Sequence, residues 1–320
     1  MKVLVTGAGG FIGGHLTKRL LVEGMDVVAV DKKPINDWYQ IFSKAENLSL
    51  DLSMINNCER AVKDCAWVFN LAADMGGMGF IENNKALCML TVLINTNLLL
   101  ASKTASVEKY FFASSACVYA QARQASLDRR VSLKEEDAYP ANPEDGYGWE
   151  KLFSERMCRH FYEDYGLEVR IARYHNVYGP FGTYYGGREK APAAAARKVL
   201  EFKNKLIDAI PIWGDGAQLR SFTYIDDCID GTIKLMNSQF KEPINIGSSE
   251  TISVQELYDC VAKICGVTQP KYIYDLSAPV GVRSRSSNNQ LCVSQLEWEP
   301  KIPVIEGMAK TLDWIESQKN

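Results

Sequence analysis

A chain of 320 residues, 47% apolar and 23% charged, is long enough and apolar enough to bury a sizeable core, which excludes a disordered or fibrous protein. Its formal net charge of -3 provides no broad basic field, so neither nucleic acid nor an anionic membrane is expected as a partner. The nine cysteines contain no CxxC pair and suit a reducing cytosol, and the three histidines supply no zinc-binding spacing, so no metal is expected.

The chain opens on "KVLVTG", a strand running straight into a glycine turn, from which no secretory leader is expected. A helix follows from about Phe11 to Glu23, then the strand "DVVAVD", a polar connection, and the strand "AWVFNLAA". The apolar stretch 87–102 is interrupted by Asn95, Thr96 and Asn97 and falls short of the ~20 apolar residues of a bilayer span. It is expected as a buried helix, leading to the strand "KYFFASSA". Short apolar strands separated by helices indicate a parallel sheet covered on both faces, a Rossmann-type doubly wound α/β fold. The helix "YGWEKLFSERMCRHFYEDYG" and the strand "EVRIARYHNVYG" continue that pattern. Residues 179–215 are rich in Gly, Pro and Ala, and "SFTYIDDCIDGTIKLMN" resumes it. An amphipathic helix over 251–266, the strand "PKYIYDL" and a last helix near 304–318 complete the chain. The expected division is a Rossmann domain from 1–177 and 215–245, with 178–214 and 246–320 as a smaller C-terminal domain over the sheet's C-terminal edge.

"VLVTGAGGFIGGHL" sets Gly7, Gly10 and Gly13 in GxxGxxG spacing between strand and helix, with Phe11 and Ile12 inside the turn. Such glycines admit a pyrophosphate close to the amides of a helix N-terminus. Asp31 ends the second strand 24 positions after Gly7, where a carboxylate accepts the ribose hydroxyls and repels a 2'-phosphate, so NAD is expected rather than NADP. Asp51 and Leu52 are placed to flank the adenine, although a solvated aspartate is an equal reading of Asp51. Leu71, Ala72 and Ala73, at the end of "NLAA", complete the expected cofactor contacts.

In "YGWEK", Tyr147 and Lys151 stand at i and i+4 and share one helix face. A tyrosine base near neutrality needs a shift of about 3 pKa units from its ordinary ~10, which is about 4 kcal/mol of favourable interaction. Lys151 and a cationic nicotinamide are the candidate sources, with Ser115 bonding the same substrate oxygen. Cys117 lies two positions after Ser115, and on a strand it points to the same face. On spacing alone a small buried thiol is the commoner reading.

These residues resemble the extended short-chain dehydrogenase/reductase family, across essentially the whole chain. Within it, "NLAADMGGMGFI", "FFASSACVY", "YHNVYGPFGT", "GGREKAPAA" and "EGMAKT" look most like the GDP-mannose 3,5-epimerases. The chain differs from them in "QARQASLDRR" (121–130) and around "FKNKLIDAIP". The resemblance implies an isomerase that oxidises C4 of GDP-D-mannose with bound NAD, inverts C3 and C5, and reduces C4 again, giving GDP-L-galactose and GDP-L-gulose. It implies Cys117 as the proton-removing group and Lys190 as the proton donor. It carries over Gly76, Asn176, Glu189, Lys190, Lys198, Gln218, Arg220 and Arg283 as substrate contacts in a nucleotide-sugar domain. Alternatives are a C4 epimerase or 4-dehydrogenase of another nucleotide sugar, such as a GDP-heptose, and an NAD-sensing protein without catalysis. A cytoplasmic homodimer is expected by analogy, with 87–102 and 150–165 as candidate faces.

Overall fold

The computed structural model describes residues 1–128 and 132–318, so Arg129 and Arg130 of the 121–130 stretch lie outside the described residues. The first half runs β1 (Lys2–Thr6), α1 (Phe11–Val22), β2 (Asp26–Asp31), β3 (Glu46–Ser49), α2 (Ile55–Val62), β4 (Trp67–Asn70), α3 (Met78–Asn83), α4 (Lys85–Met89), α5 (Thr91–Thr104) and β5 (Lys109–Ser115). It continues through α6 (Asp145–Tyr165), β6 (Glu168–Tyr174), β7 (Val177–Tyr178), α7 (Ala191–Lys203), β8 (Ile210–Trp213), β9 (Leu219–Ser221) and β10 (Thr223–Tyr224). The remainder is α8 (Ile225–Asn237), β11 (Ile244–Ile246), β12 (Thr251–Ser253), α9 (Val254–Ile264), β13 (Tyr272–Asp275), β14 (Ser284–Arg285), α10 (Gln290–Leu296) and α11 (Val304–Ser317).

Seven strands form one parallel sheet in the order β11-β6-β5-β4-β1-β2-β3. Period-two alternation divides their apolar side chains between two cores. Val3, Val5, Val27, Ala29, Phe69 and Phe111 belong to one, while Leu4, Val28, Val30, Val68, Tyr110 and Phe112 belong to the other. Each fully buried side chain of this kind contributes about 1.5–3 kcal/mol. Chain order reverses between β1 and β4, and at such a switch point the loops after the two strands diverge and leave a crevice. Of the stretch 215–245, β9 lies in a three-stranded sheet with β12 and β14, whereas β11 closes the edge of the large sheet.

Local signals account for several boundaries. α6 ends on Gly166 in the left-handed conformation, at φ 72°, which a glycine adopts without steric cost. A capping box between Ser253 and Glu256 starts α9. The stretch expected as one buried helix is α4 and α5, and it differs from the expectation in two ways. Lys85–Thr104 is long and apolar enough to cross a bilayer by length and composition, and only 39% of it is buried. Leu87, Met89, Leu90, Leu93 and Leu100 are exposed, while the face carrying Asn95 is packed on the domain. There Asn70 Nδ2 donates to Asn95 Oδ1 at 2.8 Å, and Asn95 Nδ2 donates to Glu150 Oε1 at 2.5 Å and Ser154 Oγ at 2.9 Å. Thr6 Oγ1 donates to Asn70 Oδ1 at 3.0 Å, so one buried chain of hydrogen bonds joins β1, β4, α5 and α6. Polar side chains buried this way favour an amphipathic packing helix over a lipid-facing one.

Candidate active site

One cavity opens at the crevice. All thirteen residues expected to contact the cofactor line it: Gly7, Gly10, Phe11, Ile12, Gly13, Asp31, Asp51, Leu52, Leu71, Ala72, Ala73, Tyr147 and Lys151. Its glycine end is a shape cut from backbone. A Cβ on Gly13 would overlap the carbonyl oxygen of Gly7, so α1 can begin this close to β1 only with glycine there. Asp31 accepts from the amide of Lys33 at 3.0 Å, and hydrogen bonds from Ser53, chiefly its amide, hold the Asp51 carboxyl below its usual range. The amides at the start of α1, the Asp31 carboxylate and the small residues Ala72 and Ala73 fit a dinucleotide laid across the switch point.

The other end of the cavity is made of side chains. Ser115 ends β5, Tyr147 and Lys151 face it from α6, and Lys190 reaches it from the residue preceding α7. Lys151 Nζ lies 5.7 Å from the Tyr147 ring centroid, 4.8 Å from that of Phe112 and 3.8 Å from Glu150 Oε2. Burial raises the Tyr147 phenol above its ordinary range, opposite to the direction expected, and a hydrogen bond with Ser115 offsets only part of this. The lowering expected of a base depends on cationic charge that enters with the cofactor. Burial likewise lowers Lys190 from the ordinary lysine value, the charge at Cys117 acting the other way.

Cys117 reaches this centre by a different route from the one expected. β5 stops at Ser115, and residues 116–118 form a turn of 3-10 helix, so strand alternation does not orient the thiol. Ser115 caps that turn, its Oγ accepting from the Cys117 amide at 3.2 Å, and the Cys117 carbonyl accepts from the Glu144 amide at 3.1 Å. The sulfur interacts electrostatically with Tyr147, Lys190 and Arg220.

Of the expected substrate contacts, Gly76, Asn176 and Lys190 line the cavity with Ser115. Asn176 donates to the Ser221 carbonyl at 3.0 Å. The loop carrying Gly76 is docked on the Lys190 segment, since a Cβ on Gly77 would overlap the Glu189 carbonyl oxygen. Other positions depart from expectation, each because a nearer partner takes the side chain. Glu189 accepts from Gly187 N at 2.7 Å and pairs with Arg197 at 3.2 Å, and Lys198 donates to the Pro211 carbonyl at 2.8 Å. Gln218 donates to the Trp213 carbonyl at 3.3 Å, and Arg283 pairs with Asp215 at 3.3 Å on the surface. Arg220 is half-buried, donates to the carbonyls of Leu219, Val280 and Val282, and is lowered to about 10, mainly by desolvation. None of these five side chains is on the cavity wall, and neither is Cys117, expected as a sixth contact, which packs against the cluster of Ile81, Cys88 and Tyr147 instead.

Sequence reasoning missed Arg285. It is buried beside Arg220, with Nη1 3.3 Å from Cys117 Sγ and Nη2 donating to Glu144 Oε2 at 2.7 Å. In "GVRSR" the two arginines stand two apart, which on one continuous strand would put them on the same face, but β14 begins only at Ser284, so Arg283 lies outside it and pairs with Asp215 while Arg285 is buried.

The sheet, the glycine turn, Ser115 and the buried Tyr147 and Lys151 define an oxidoreductive enzyme built to hold a dinucleotide against an alcohol carbon. Residues 3–247 match the NAD dependent epimerase/dehydratase family, and the chain belongs to it. Among curated relatives it is 44% identical over 319 residues to GDP-mannose 3,5-epimerase of Arabidopsis thaliana, covering 99% of this chain and 83% of that one. It is 43% identical to GDP-mannose 3,5-epimerase 1 of Oryza sativa subsp. indica, covering 99% and 82%. UDP-glucose 4-epimerase of Thermotoga maritima, solved with UDP-glucose, superposes with a TM-score of 0.86 at 25% identity over all of both chains.

Proposed function

We propose that the protein is an NAD-dependent isomerase that converts GDP-D-mannose to GDP-L-galactose, and to GDP-L-gulose by inversion at C5 alone. The observation that carries this reading is the approach of Cys117 and Lys190 to the Ser115, Tyr147 and Lys151 centre from segments 73 positions apart (117 to 190): Lys190 lines the cavity, and Cys117, off its wall, packs against the cluster of Ile81, Cys88 and Tyr147 and is bonded through its amide to Ser115. When bound, NAD supplies positive charge beside Tyr147 and reversible uptake of the C4 hydride. Tyr147 takes the C4 hydroxyl proton, with Ser115 bonding the same oxygen and Lys151 favouring the phenolate. A C4 ketone acidifies the C–H bonds at C3 and C5. The Cys117 thiolate removes the proton from one face of the ring, and the Lys190 ammonium delivers one to the other. Tyr147 finally returns its proton to the C4 oxygen. A plain 4-epimerase, the reaction named for the Thermotoga maritima structure, has no use for this second acid/base pair.

The GDP-sugar assignment is supported by the names of the two plant relatives. A cytoplasmic setting is supported by nine free cysteines. A homodimer through α5 and α6 is supported by exposed Leu93, Leu100, Trp149 and Phe153, and Phe153→Asp should give a monomer in sedimentation.

Incubation with GDP-D-mannose in D2O without added NAD, followed by NMR of the sugar, tests the reading. Deuterium at C3 and C5 with none at C4 is the expected result. Inversion at C4 with no solvent deuterium would instead make the protein a 4-epimerase.

A further inference from the structure

Arg285 is fixed on three sides. Its Nε donates to Gln124 Oε1 at 2.7 Å, its Nη2 to Glu144 Oε2 at 2.7 Å, and its Nη1 faces Cys117 Sγ at 3.3 Å. Gln124 is itself tied down, donating to the Tyr119 carbonyl at 3.0 Å. A planar fork with two anchored nitrogens keeps little rotational freedom, so the third nitrogen is aimed. The backbone of Cys117 is held too, through the Ser115 cap on its amide and the Glu144 amide on its carbonyl.

The surrounding charges do not balance without an anion at the sulfur. The titratable and charged groups facing Cys117 are Arg285 from β14, Arg220 from β9, Lys190 before α7 and Tyr147 from α6, with Glu144 just ahead of α6. Glu144 is one carboxylate among three cationic side chains, the buried Arg285 and the half-buried Lys190 and Arg220, and it is already engaged by Arg285. A thiol donates a weak hydrogen bond and gains little from a guanidinium, which has only donors to offer. A thiolate accepts from it and compensates a buried charge.

We propose that Arg285 is the positioning residue for Cys117, holding the sulfur as a thiolate before substrate arrives and aiming it at the ring carbon. The proposal rests on the reading of Cys117 as the proton-removing group. The chemistry is unchanged in its balance: the sulfur lone pair takes the proton from carbon, the electron pair enters the enolate, and Arg285 exchanges no proton.

The test is alkylation of the substrate-free holoenzyme by iodoacetamide as a function of pH, with each modified cysteine read by peptide mass spectrometry. Cys260, the other partly exposed cysteine, is the control for general reactivity. Arg285→Met should slow alkylation of Cys117 about tenfold at neutral pH while leaving that of Cys260 unchanged, and should slow C3 and C5 exchange about 100-fold with NAD content retained, and Arg285→Lys should restore part of both. Cys117 alkylation that is unchanged in Arg285→Met overturns the proposal, and a catalytic defect then confined to KM makes Arg285 a substrate ligand. Because alkylation is read without substrate, it reports on this contact even if Cys117→Ala still exchanges deuterium, an outcome that would overturn the reading of Cys117 instead.

Discussion

The two ends of the cavity are built on different principles. The dinucleotide end is a backbone shape made by a few adjacent residues, Gly7 to Gly13, where what matters is the absence of side chains. The acid/base end is assembled from Ser115, Cys117, Glu144, Tyr147, Lys151, Lys190, Arg220 and Arg285, spread over 170 positions (115 to 285), all of them buried or half-buried. A shape tolerates a change of neighbour but not an added atom. A cluster of buried charges tolerates small changes of volume but not the loss of one member, which leaves its partners uncompensated.

The sharpest way to break the comparison is Gly13→Val. It should abolish bound NAD, measured as dinucleotide released on denaturation, and a variant that keeps one NAD per chain would refute the backbone account of that end. Next is Cys117→Ala, which should slow C3 and C5 exchange by about 10²–10⁴-fold while NAD stays bound, as expected for loss of a general base. Substitution at Lys190 sharpens the contrast through pH. A proton donor works only while charged, and burial lowers Lys190 below the ordinary lysine value, so the rate should fall on the alkaline side before pH reaches about 10.4. Lys190→Arg should move that limb upward in a pH–rate profile. The same shift means that the unfolded chain holds this proton more tightly than the folded one, so stability attributable to Lys190 rises with pH through the window between the two values.

The smallest effect lies outside both ends. His175 is buried against Asn245, which its Nε2 meets at 2.8 Å, and desolvation lowers it to about 3. It stays neutral in the fold but takes a proton in the unfolded chain below about 6.5, so stability is lost as pH falls from there toward about 3. His175→Gln should flatten that loss by about 1 kcal/mol in thermal melts near pH 5, less if the new amide leaves Asn245 unpaired.

The same contrast explains what could be read in advance. Parallel strands, the glycine turn, Asp31 and the Tyr147 and Lys151 spacing depend on neighbours within a few positions, and those are visible in sequence. The partners of the other end are set by packing. Nothing local says that Glu189 turns to Arg197, that Arg283 finds Asp215, or that β9, β12 and β14 pair. Resemblance puts Cys117 beside Ser115 and Tyr147, and strand alternation gives it the wrong geometry, because the strand ends two residues earlier. The exposed leucines of α4 and α5 went unread because an apolar run has the same composition whether it meets a core, another chain or water.

The last strand of the large sheet has a consequence for how the chain is made. β11 pairs with β6, yet Ile244 is synthesised 70 residues after Tyr174 (174 to 244). Until then β6 is an open edge, a template for mispairing, and Arg170 lacks the Ser238 carbonyl that receives its Nε at 2.9 Å. A nascent chain halted before Ile244 should therefore be captured by chaperones or aggregate, and one extended past Ile246 should resist protease. Translation, not the order of strands in the sheet, fixes when the large sheet becomes a finished object, and that moment comes only after α7, β8 and β9, none of them part of that sheet, have been synthesised.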